Sequence, residues 1–273
     1  MANHLNKPAV NVEKNSTPQR VFITGASSGI GLALALHYAK AGAQLALVAR
    51  RAELLNKLAN ELGAKCAVYT VDVRDAESLA KAAQQFTQQF GVPDIVIANA
   101  GVSRGTLTEH QQDIAAFKAV FEINVLGMAH TFQPFITAMR DAGKGQLVGI
   151  ASVAGIRGLP GAGAYSASKA AVISYLESLR VEMAPHGITV TTIAPGYIRT
   201  PMTAINAYNM PFLMDVDIAA KKFAQAIQRK RRFVVIPWQM GVMARLMRFI
   251  PPVLWDWAMK NAPQKERTSW DWL

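Results

Sequence analysis

Short apolar runs alternate with longer amphipathic segments between residue 20 and about residue 200. The apolar runs predict strands over residues 21–24, 45–48, 66–70, 94–98, 146–151 and 188–193. The segments between them predict a first helix that ends at about Lys40 and further helices over residues 52–62, 76–90, 113–139 and 164–183. Apolar runs without polar alternation are typical of strands buried on both faces, and helical crossovers between such strands indicate a parallel sheet. The pattern therefore predicts an α/β protein built on a doubly wound parallel sheet.

Three regions differ in composition. Residues 1–19 are polar, contain two prolines and lack the apolar core of a signal peptide, which predicts a flexible leader and a cytoplasmic protein. Residues 20–237 are predicted to form one domain, and residues 238–273 an amphipathic, basic extension. Cys66 is the only cysteine, so it cannot form an intrachain disulfide, and we expect it as a small apolar residue of the third strand.

A glycine-rich turn, Gly25-Ala26-Ser27-Ser28-Gly29-Ile30-Gly31, joins the first strand to the first helix. The first glycine permits a sharp turn, and the later two let the backbone approach a ligand and the helix closely. The start of the helix offers unpaired N–H groups and the positive end of its dipole, which suit a pyrophosphate. A strand, a turn of this kind and a helix in that order predict a dinucleotide site.

The spacing Gly-x3-Gly-x-Gly resembles that of the short-chain dehydrogenase/reductase family, in its branch of about this length. The likeness continues with Asp72-Val73 after the third strand and with Asn99-Ala100-Gly101 after the fourth, and it covers residues 20–200. It implies a Rossmann-type domain, a nicotinamide dinucleotide and oxidoreductase activity. The aspartate would meet the adenine, and a later segment would close over the nicotinamide through Pro195, Gly196, Ile198 and Thr200.

The end of the second strand selects the cofactor. An acidic residue there would accept hydrogen bonds from the ribose hydroxyls and repel a 2′-phosphate, but the chain has Arg50 and Arg51. A guanidinium can bind the 2′-phosphate with a charge-assisted hydrogen bond that contributes about 1.5–3 kcal/mol. The alternative, two solvated arginines at the start of a helix, conflicts with the helix dipole. We therefore expect NADP(H), with Arg50 as the better supported of the two.

Four residues resemble the catalytic tetrad of the family in order and spacing. Tyr165 and Lys169 lie one helical turn apart and therefore on one face. Ser152 ends the fifth strand, and Asn124 lies in the long central helix.

Carbonyl reduction explains these residue types. Hydride addition leaves negative charge on oxygen, and Tyr165 can supply the proton if Lys169 and the oxidised nicotinamide lower its pKa. The Ser152 hydroxyl would hold the carbonyl oxygen. The resemblance implies that Asn124 anchors a water next to Lys169, that Lys169 holds the nicotinamide ribose, and that Thr200 contacts the carboxamide.

The segment after Thr200 is rich in methionines and aromatics, including Met202, Tyr208, Met210, Phe212 and Met214. In the family this region is a mobile lid, so the composition favours a hydrophobic carbonyl substrate. The alternative is a lid packed on a core of its own.

The extension predicts a helix over residues 238–250, ended by Pro251-Pro252, with Gly241, Arg245 and Arg248 on a narrow polar stripe. It is too short and too charged to span a bilayer. Three interpretations remain open for residues 238–257: contact with the interface of a membrane at its inner face, a subunit contact, or a wall of the substrate pocket.

The charge of the chain is +11, and +8 of it falls in residues 221–273. No nucleic-acid motif accompanies this basic end, and no cluster of metal ligands is present, so we expect neither nucleic acid nor a metal. The resemblance and the apolar faces of the helices around Asn124 and Tyr165 predict a homodimer or homotetramer. Two other functions remain open: a non-catalytic NADP(H)-binding sensor or scaffold, and a peripheral membrane protein whose enzyme fold is incidental.

Overall fold

A computed structural model of the chain describes residues 17–63, 65–265 and 267. Most of the predicted leader, residues 1–16, and the end of the predicted extension, residues 268–273, lie outside the described residues. The division into leader, domain and extension therefore stays a prediction.

Strands and helices alternate along the described chain. The strands are β1 Arg20–Thr24, β2 Gln44–Ala49, β3 Cys66–Thr70, β4 Ile95–Ala98, β5 Gly145–Ile150, β6 Ile188–Pro195, β7 Ile198–Arg199, β8 Met214–Asp215 and β9 Phe233–Ile236. The helices are α1 Gly29–Lys40, α2 Ala52–Leu62, α3 Ala76–Phe90, α4 Asp113–Phe121, α5 Gly127–Asp141, α6 Gly163–Met183, α7 Pro201–Ala204, α8 Val216–Gln228, α9 Trp238–Phe249 and α10 Pro252–Met259.

The main sheet has seven parallel strands in the order β3-β2-β1-β4-β5-β6-β9. The chain winds outwards from β1 in one direction and from β4 in the other, so the topological switch lies between these two strands. The predicted doubly wound α/β sheet is thereby confirmed. Ligands of such sheets bind at the carboxyl ends of the strands beside the switch.

Two apolar layers cover the faces of the sheet because neighbouring residues of a strand point to opposite sides. In β1, Val21 and Ile23 belong to one cluster of buried side chains and Phe22 belongs to the other, and all three are 0% exposed. The strands therefore lack the polar alternation of a one-sided sheet. Cys66 lies in β3 as predicted, although it is only half-buried.

The central helix differs from its prediction. In place of one helix over residues 113–139, α4 and α5 are separated by a π-helical turn, Glu122–Leu126. Asn124 lies within this turn and is fully buried. A π-helical turn contains about one residue more than an α-helical turn, so the side chains that follow it point in a different direction than in a continuous α-helix. The apolar pattern of the sequence does not reveal this change.

Two elements at the edge of the sheet, α8 and β9, were not predicted. The strand β9 is only four residues long and directly follows four basic residues, 229–232, so its apolar pattern is weak. Arg229 occupies the C-cap of α8, where the helix dipole favours a cation. The rest of the basic run leads into β9.

The extension begins with the predicted helix. Here α9 ends at Phe249, and a second short helix, α10, starts at Pro252. Within the part of the chain that the structure describes, no helix is long and apolar enough to cross a membrane.

Candidate active site

A cavity of about 280 Å³ opens at the carboxyl ends of the central strands. It crosses the ends of β2, β1, β4 and β5, and strands about 4.8 Å apart place β2 and β5 about 14 Å from each other. An extended ligand such as a dinucleotide fits a groove of this kind. The predicted residues that line it are Gly25, Ser27, Ser28, Gly29, Ile30, Arg50, Arg51, Asp72, Val73, Asn99, Ala100, Gly101, Ser152, Tyr165, Lys169, Pro195, Gly196, Ile198 and Thr200.

Glycine is required at two positions of the turn between β1 and α1. Gly25 has φ +69°, in the left-handed region, and a Cβ there would lie 2.8 Å from Nδ2 of Asn99. Gly31 does not line the cavity; a Cβ there would collide with the carbonyl oxygen of Gly25. Gly31 thus permits close packing of the turn on α1, which leaves the first N–H groups of the helix directed at the cavity.

Asn99 connects this turn to the end of β4. Its Nδ2 donates hydrogen bonds to the carbonyl oxygens of Thr24 (3.0 Å) and Gly25 (3.3 Å), and its backbone N–H donates to Oγ1 of Thr24 (3.2 Å). The two sides of the topological switch are therefore tied together beside the predicted pyrophosphate site.

The two arginines after β2 have different partners. Arg51 occupies the N-cap of α2, and its Nη2 donates to Oγ of Ser27 (2.9 Å) and Ser28 (2.8 Å) in the glycine-rich turn. Nη1 of Arg50 lies 3.7 Å from Oδ2 of Asp72, which also pairs with Arg74 at 2.8 Å. Both guanidinium groups line the cavity, and Arg51 together with the two serines places three polar groups at the glycine-rich turn, a contact that was not predicted.

The carboxylate of Asp72 is held in its charged form by these neighbours. Hydrogen bonds and charge from Arg74, with a smaller contribution from Arg50, lower its pKa despite the opposing effect of burial. A charged Asp72 can accept a hydrogen bond from an adenine amino group, in line with the role that the resemblance implies.

Ser152, Tyr165 and Lys169 meet at the other end of the cavity. Ser152 follows β5, while Tyr165 and Lys169 lie in the first two turns of α6. The hydroxyl group of Ser152 accepts from the Ala154 N–H at 3.1 Å and lies near enough to that of Tyr165 for a hydrogen-bond effect on the tyrosine pKa. Nζ of Lys169 lies 5.9 Å from the centre of the Tyr165 ring and donates to the carbonyl oxygen of Ile150 at 2.8 Å. The lysine therefore lies beneath the tyrosine ring, fixed by the end of β5.

Burial acts on both titrating groups and favours their neutral forms. It raises the pKa of Tyr165, with the hydrogen bond to Ser152 acting in the opposite direction, and it lowers the pKa of Lys169 to about 8. The sequence predicts a lowered pKa for Tyr165. That lowering requires the positive charge of the oxidised nicotinamide ring in addition to the ammonium of Lys169. In the protein alone the phenol keeps its proton, as a group that donates to a carbonyl oxygen must.

Asn124 does not line the cavity, in contrast to the other three residues of the tetrad. Its Oδ1 accepts from the Val102 N–H (2.8 Å), and its Nδ2 donates to the carbonyl oxygen of Val102 (3.0 Å) and to Oγ of Ser168 (2.9 Å). Ser168 in turn donates to the carbonyl oxygen of Tyr165 at 2.8 Å. The side chain of Asn124 therefore holds the segment after β4 against the catalytic helix.

The predicted lid has no core of its own. None of residues 201–214 is buried, and Met202 and Phe212 are 38% and 49% exposed. The base of the lid is ordered by β7 pairing with β8, by the ion pair of Arg199 with Asp215 (2.8 Å), and by a capping box between Thr200 and Thr203. The exposure of these side chains therefore favours an open lid over one packed on a core of its own.

Further residues line the cavity beyond the predicted set: Ala49, Val71, Val102, Ile123, Ile150, Ala151, Pro201, Met202 and Thr203. Most of them are next in sequence to a predicted residue at a strand end. Their place in the lining could therefore have been predicted from that neighbour. Ile123 is the exception, because it reaches the cavity from the π-helical turn.

Comparison with known proteins defines the class. The model of the short chain dehydrogenase family matches residues 19–209. An uncharacterized oxidoreductase of Myxococcus xanthus is 37% identical over 245 residues, which cover 88% of this chain and 96% of that protein. The dehydrogenase/reductase SDR family member 7B of Bos taurus is 35% identical over 270 residues, which cover 91% of this chain and 82% of that protein. The chain belongs to the short-chain dehydrogenase/reductase family of oxidoreductases, which use NAD(P)(H).

A solved structure agrees with this fold. The 3-ketoacyl-(acyl-carrier-protein) reductase of Brucella melitensis, complexed with NADH, superimposes with a TM-score of 0.74 at 24% identity, over 80% of this chain and 96% of that chain. At this level of identity the likeness supports the fold alone.

Proposed function

We propose that the protein reduces a hydrophobic ketone or aldehyde to an alcohol, or catalyses the reverse reaction, with NADP(H) as its cofactor and Tyr165 as its acid/base. The observation that carries the proposal is the common cavity: the hydroxyl groups of Ser152 and Tyr165 and the ammonium of Lys169 line the same groove as the glycine-rich turn. A non-catalytic sensor requires the turn but not these three groups.

Each group of the site has its own role in the proposed reaction. Bound NADPH would supply the hydride. The hydroxyls of Ser152 and Tyr165 hold the carbonyl oxygen and stabilise its developing charge. Tyr165 donates its proton to that oxygen, and the ammonium of Lys169 stabilises the resulting phenolate. The start of α1 binds the pyrophosphate, and Asn124 keeps Tyr165 in place through Ser168.

The experiment that tests the reaction follows NADPH oxidation, by absorbance, against ketones and aldehydes of increasing chain length. Turnover of at least one series supports the enzyme. NADPH binding without turnover of any compound, in a protein that folds normally, would favour the sensor instead.

We expect NADPH to bind at least about tenfold more tightly than NADH, because one charge-assisted hydrogen bond to the 2′-phosphate contributes about 1.5–3 kcal/mol. Fluorescence titration with both cofactors measures the preference. Arg50→Ala and Arg51→Ala should each weaken NADPH binding and leave NADH binding nearly unchanged, so NADH serves as the internal control. Equal affinities in the wild type would contradict the assignment, and full affinity in Arg50→Ala would remove Arg50 from it.

We further propose a homodimer or homotetramer. The apolar side chains of Ile114, Leu126 and Val181, on and beside helices α4 and α6, are 55%, 52% and 65% exposed, which is the pattern of a face that another subunit covers. Light scattering at micromolar concentration should give at least twice the 29.6 kDa of the chain. A monomer under these conditions would refute the proposal.

A further inference from the structure

The two helices of the extension leave large apolar side chains in solvent. On α9 these are Trp238, Val242, Leu246 and Phe249, and on α10 they are Val253, Leu254 and Trp257. Phe249 and Trp257 are 83% and 79% exposed. Large apolar side chains exposed in such number on two successive helices mark a site of interaction. We call these seven residues the apolar face of the extension.

The arrangement on α9 separates three surfaces. At about 100° per residue, the four exposed apolar residues fall within a sector of about 80°. Met240 and Ala244 lie on the opposite side and are buried against the domain. Arg245 and Arg248, both exposed, follow the apolar sector along one border. The polar stripe predicted from the sequence is therefore the border of an uncovered apolar surface.

Contacts with the domain hold this surface in place beside the active site. Nη1 of Arg157 donates to the carbonyl oxygens of Met247 and Ile250 (3.0 Å each) at the end of α9. The same guanidinium lies 4.7 Å from the centre of the Trp255 ring in α10. Met240 packs on Gly196, which lines the cavity. Helix α9 therefore packs beside the cavity through Met240, and its apolar sector lies on the opposite, outer side of the same helix.

We propose that the apolar face of the extension docks on the surface of an anionic lipid bilayer, so that the substrate cavity lies close to the membrane. An apolar sector bordered by arginines suits the boundary between acyl chains and headgroups. All five tryptophans of the chain occur at or after residue 238, and this amphipathic side chain prefers that boundary.

The charges of the segment favour anionic lipid over a second copy of the chain. Residues 238–260 contain Arg245, Arg248 and Lys260 but only one acid, Asp256. A second copy that docked through the same segment would offer these cations only Asp256, whereas phosphate headgroups complement them. The inference deepens the proposed function, because it gives a hydrophobic carbonyl compound a place from which to enter the cavity.

The test is sedimentation of the full-length protein with vesicles of phosphatidylcholine alone or mixed with phosphatidylglycerol, without cofactor or substrate. We expect binding to the anionic vesicles that weakens as salt is added. Leu246→Glu/Phe249→Glu should lower the partition coefficient at least tenfold, as should Arg245→Gln/Arg248→Gln. These side chains are exposed, so the fold should be unaffected.

Matched controls lie on other surfaces. Leu54→Glu changes an apolar residue of α2 that is 41% exposed. Arg231→Gln/Arg232→Gln removes two exposed charges at the opposite end of β9, about 13 Å from the start of α9. Both controls should bind vesicles like the wild type.

The inference is overturned if the wild type binds no vesicle, or if Leu246→Glu/Phe249→Glu binds as well as the wild type. It is also overturned if that variant changes only the oligomeric mass in light scattering, which would make the face a contact between copies. Because vesicle binding needs no turnover, and soluble ketones test turnover without vesicles, failure of this inference is distinguishable from failure of the proposed reaction.

Discussion

Replacing Tyr165 by phenylalanine is expected to lower kcat for carbonyl reduction by about 10²–10⁴-fold, the usual contribution of a positioned general acid. The substitution removes only the phenol hydroxyl, while the ring that covers Lys169 remains. Cofactor affinity should therefore stay close to that of the wild type. Steady-state kinetics and a cofactor titration on the same preparation measure the two quantities.

Tyr175→Phe is the matched control, because Tyr175 lies further along the same helix, α6, and does not line the cavity. Its activity should equal that of the wild type. If Tyr165→Phe keeps more than about a tenth of the wild-type rate, Tyr165 is not the proton donor.

The second large effect is a rise of kcat/KM with the chain length of the ketone. Each methylene buried contributes about 0.8 kcal/mol, so four additional buried carbons would raise kcat/KM by more than a hundredfold. The cover available for this burial includes Met202, which lines the cavity and is 38% exposed. Kinetics on straight-chain methyl ketones of increasing length, with NADPH saturating, measure the slope.

Met202→Gln should reduce this slope, with a larger loss for long ketones than for short ones, because a polar amide replaces part of the apolar cover. Leu54→Gln, in helix α2 and outside the lining of the cavity, should leave the slope unchanged. Better turnover of short ketones by the wild type would refute a hydrophobic substrate.

Deleting the extension would not test how kcat/KM depends on the chain length of the ketone. Met240 and Ala244 of α9 are buried, and Arg267 donates to both carboxylate oxygens of Asp113 at 2.8 and 3.0 Å. Asp113 is 2% exposed, and the pair lowers its pKa. Removing residues from 238 onwards would take away the cation that pairs with this carboxylate and would uncover the apolar surface on which Met240 and Ala244 pack, which destabilises the fold. Point substitutions on the exposed face avoid that loss.

The candidate site was predictable where its residues lie next to one another in the sequence or at the end of a predictable strand. The turn from Gly25 to Gly31 and the pair Tyr165 and Lys169 are local patterns, since a tight turn and a helical repeat each impose a fixed spacing. Ser152 and Asn99 were identified because the chain resembles the short-chain dehydrogenase/reductase family at the ends of these two strands. The apolar runs of the first six strands were long enough to show burial on both faces.

The partners of these side chains depended on the tertiary structure. From the sequence, Arg50 was the better supported ligand of the 2′-phosphate. In the structure Arg51 binds Ser27 and Ser28 of the glycine-rich turn, and Arg50 faces Asp72. The π-helical turn that directs Asn124 to Val102 carries no distinct periodicity over so few residues.

The sequence by itself determined the order of the elements as far as β6 and the glycine-rich turn, because each rests on spacing within a turn, a helix or a strand. The groups of the catalytic end were identified by their resemblance to the tetrad of the family. Only the tertiary structure decided the edge strand β9, the contact of Arg267 with Asp113 across 154 positions, and the exposure of the apolar face of the extension. These features depend on which surfaces remain uncovered after the chain has packed. An amphipathic pattern shows that a helix has an apolar side, but the same pattern fits a helix buried in a core and one that offers that side to a membrane.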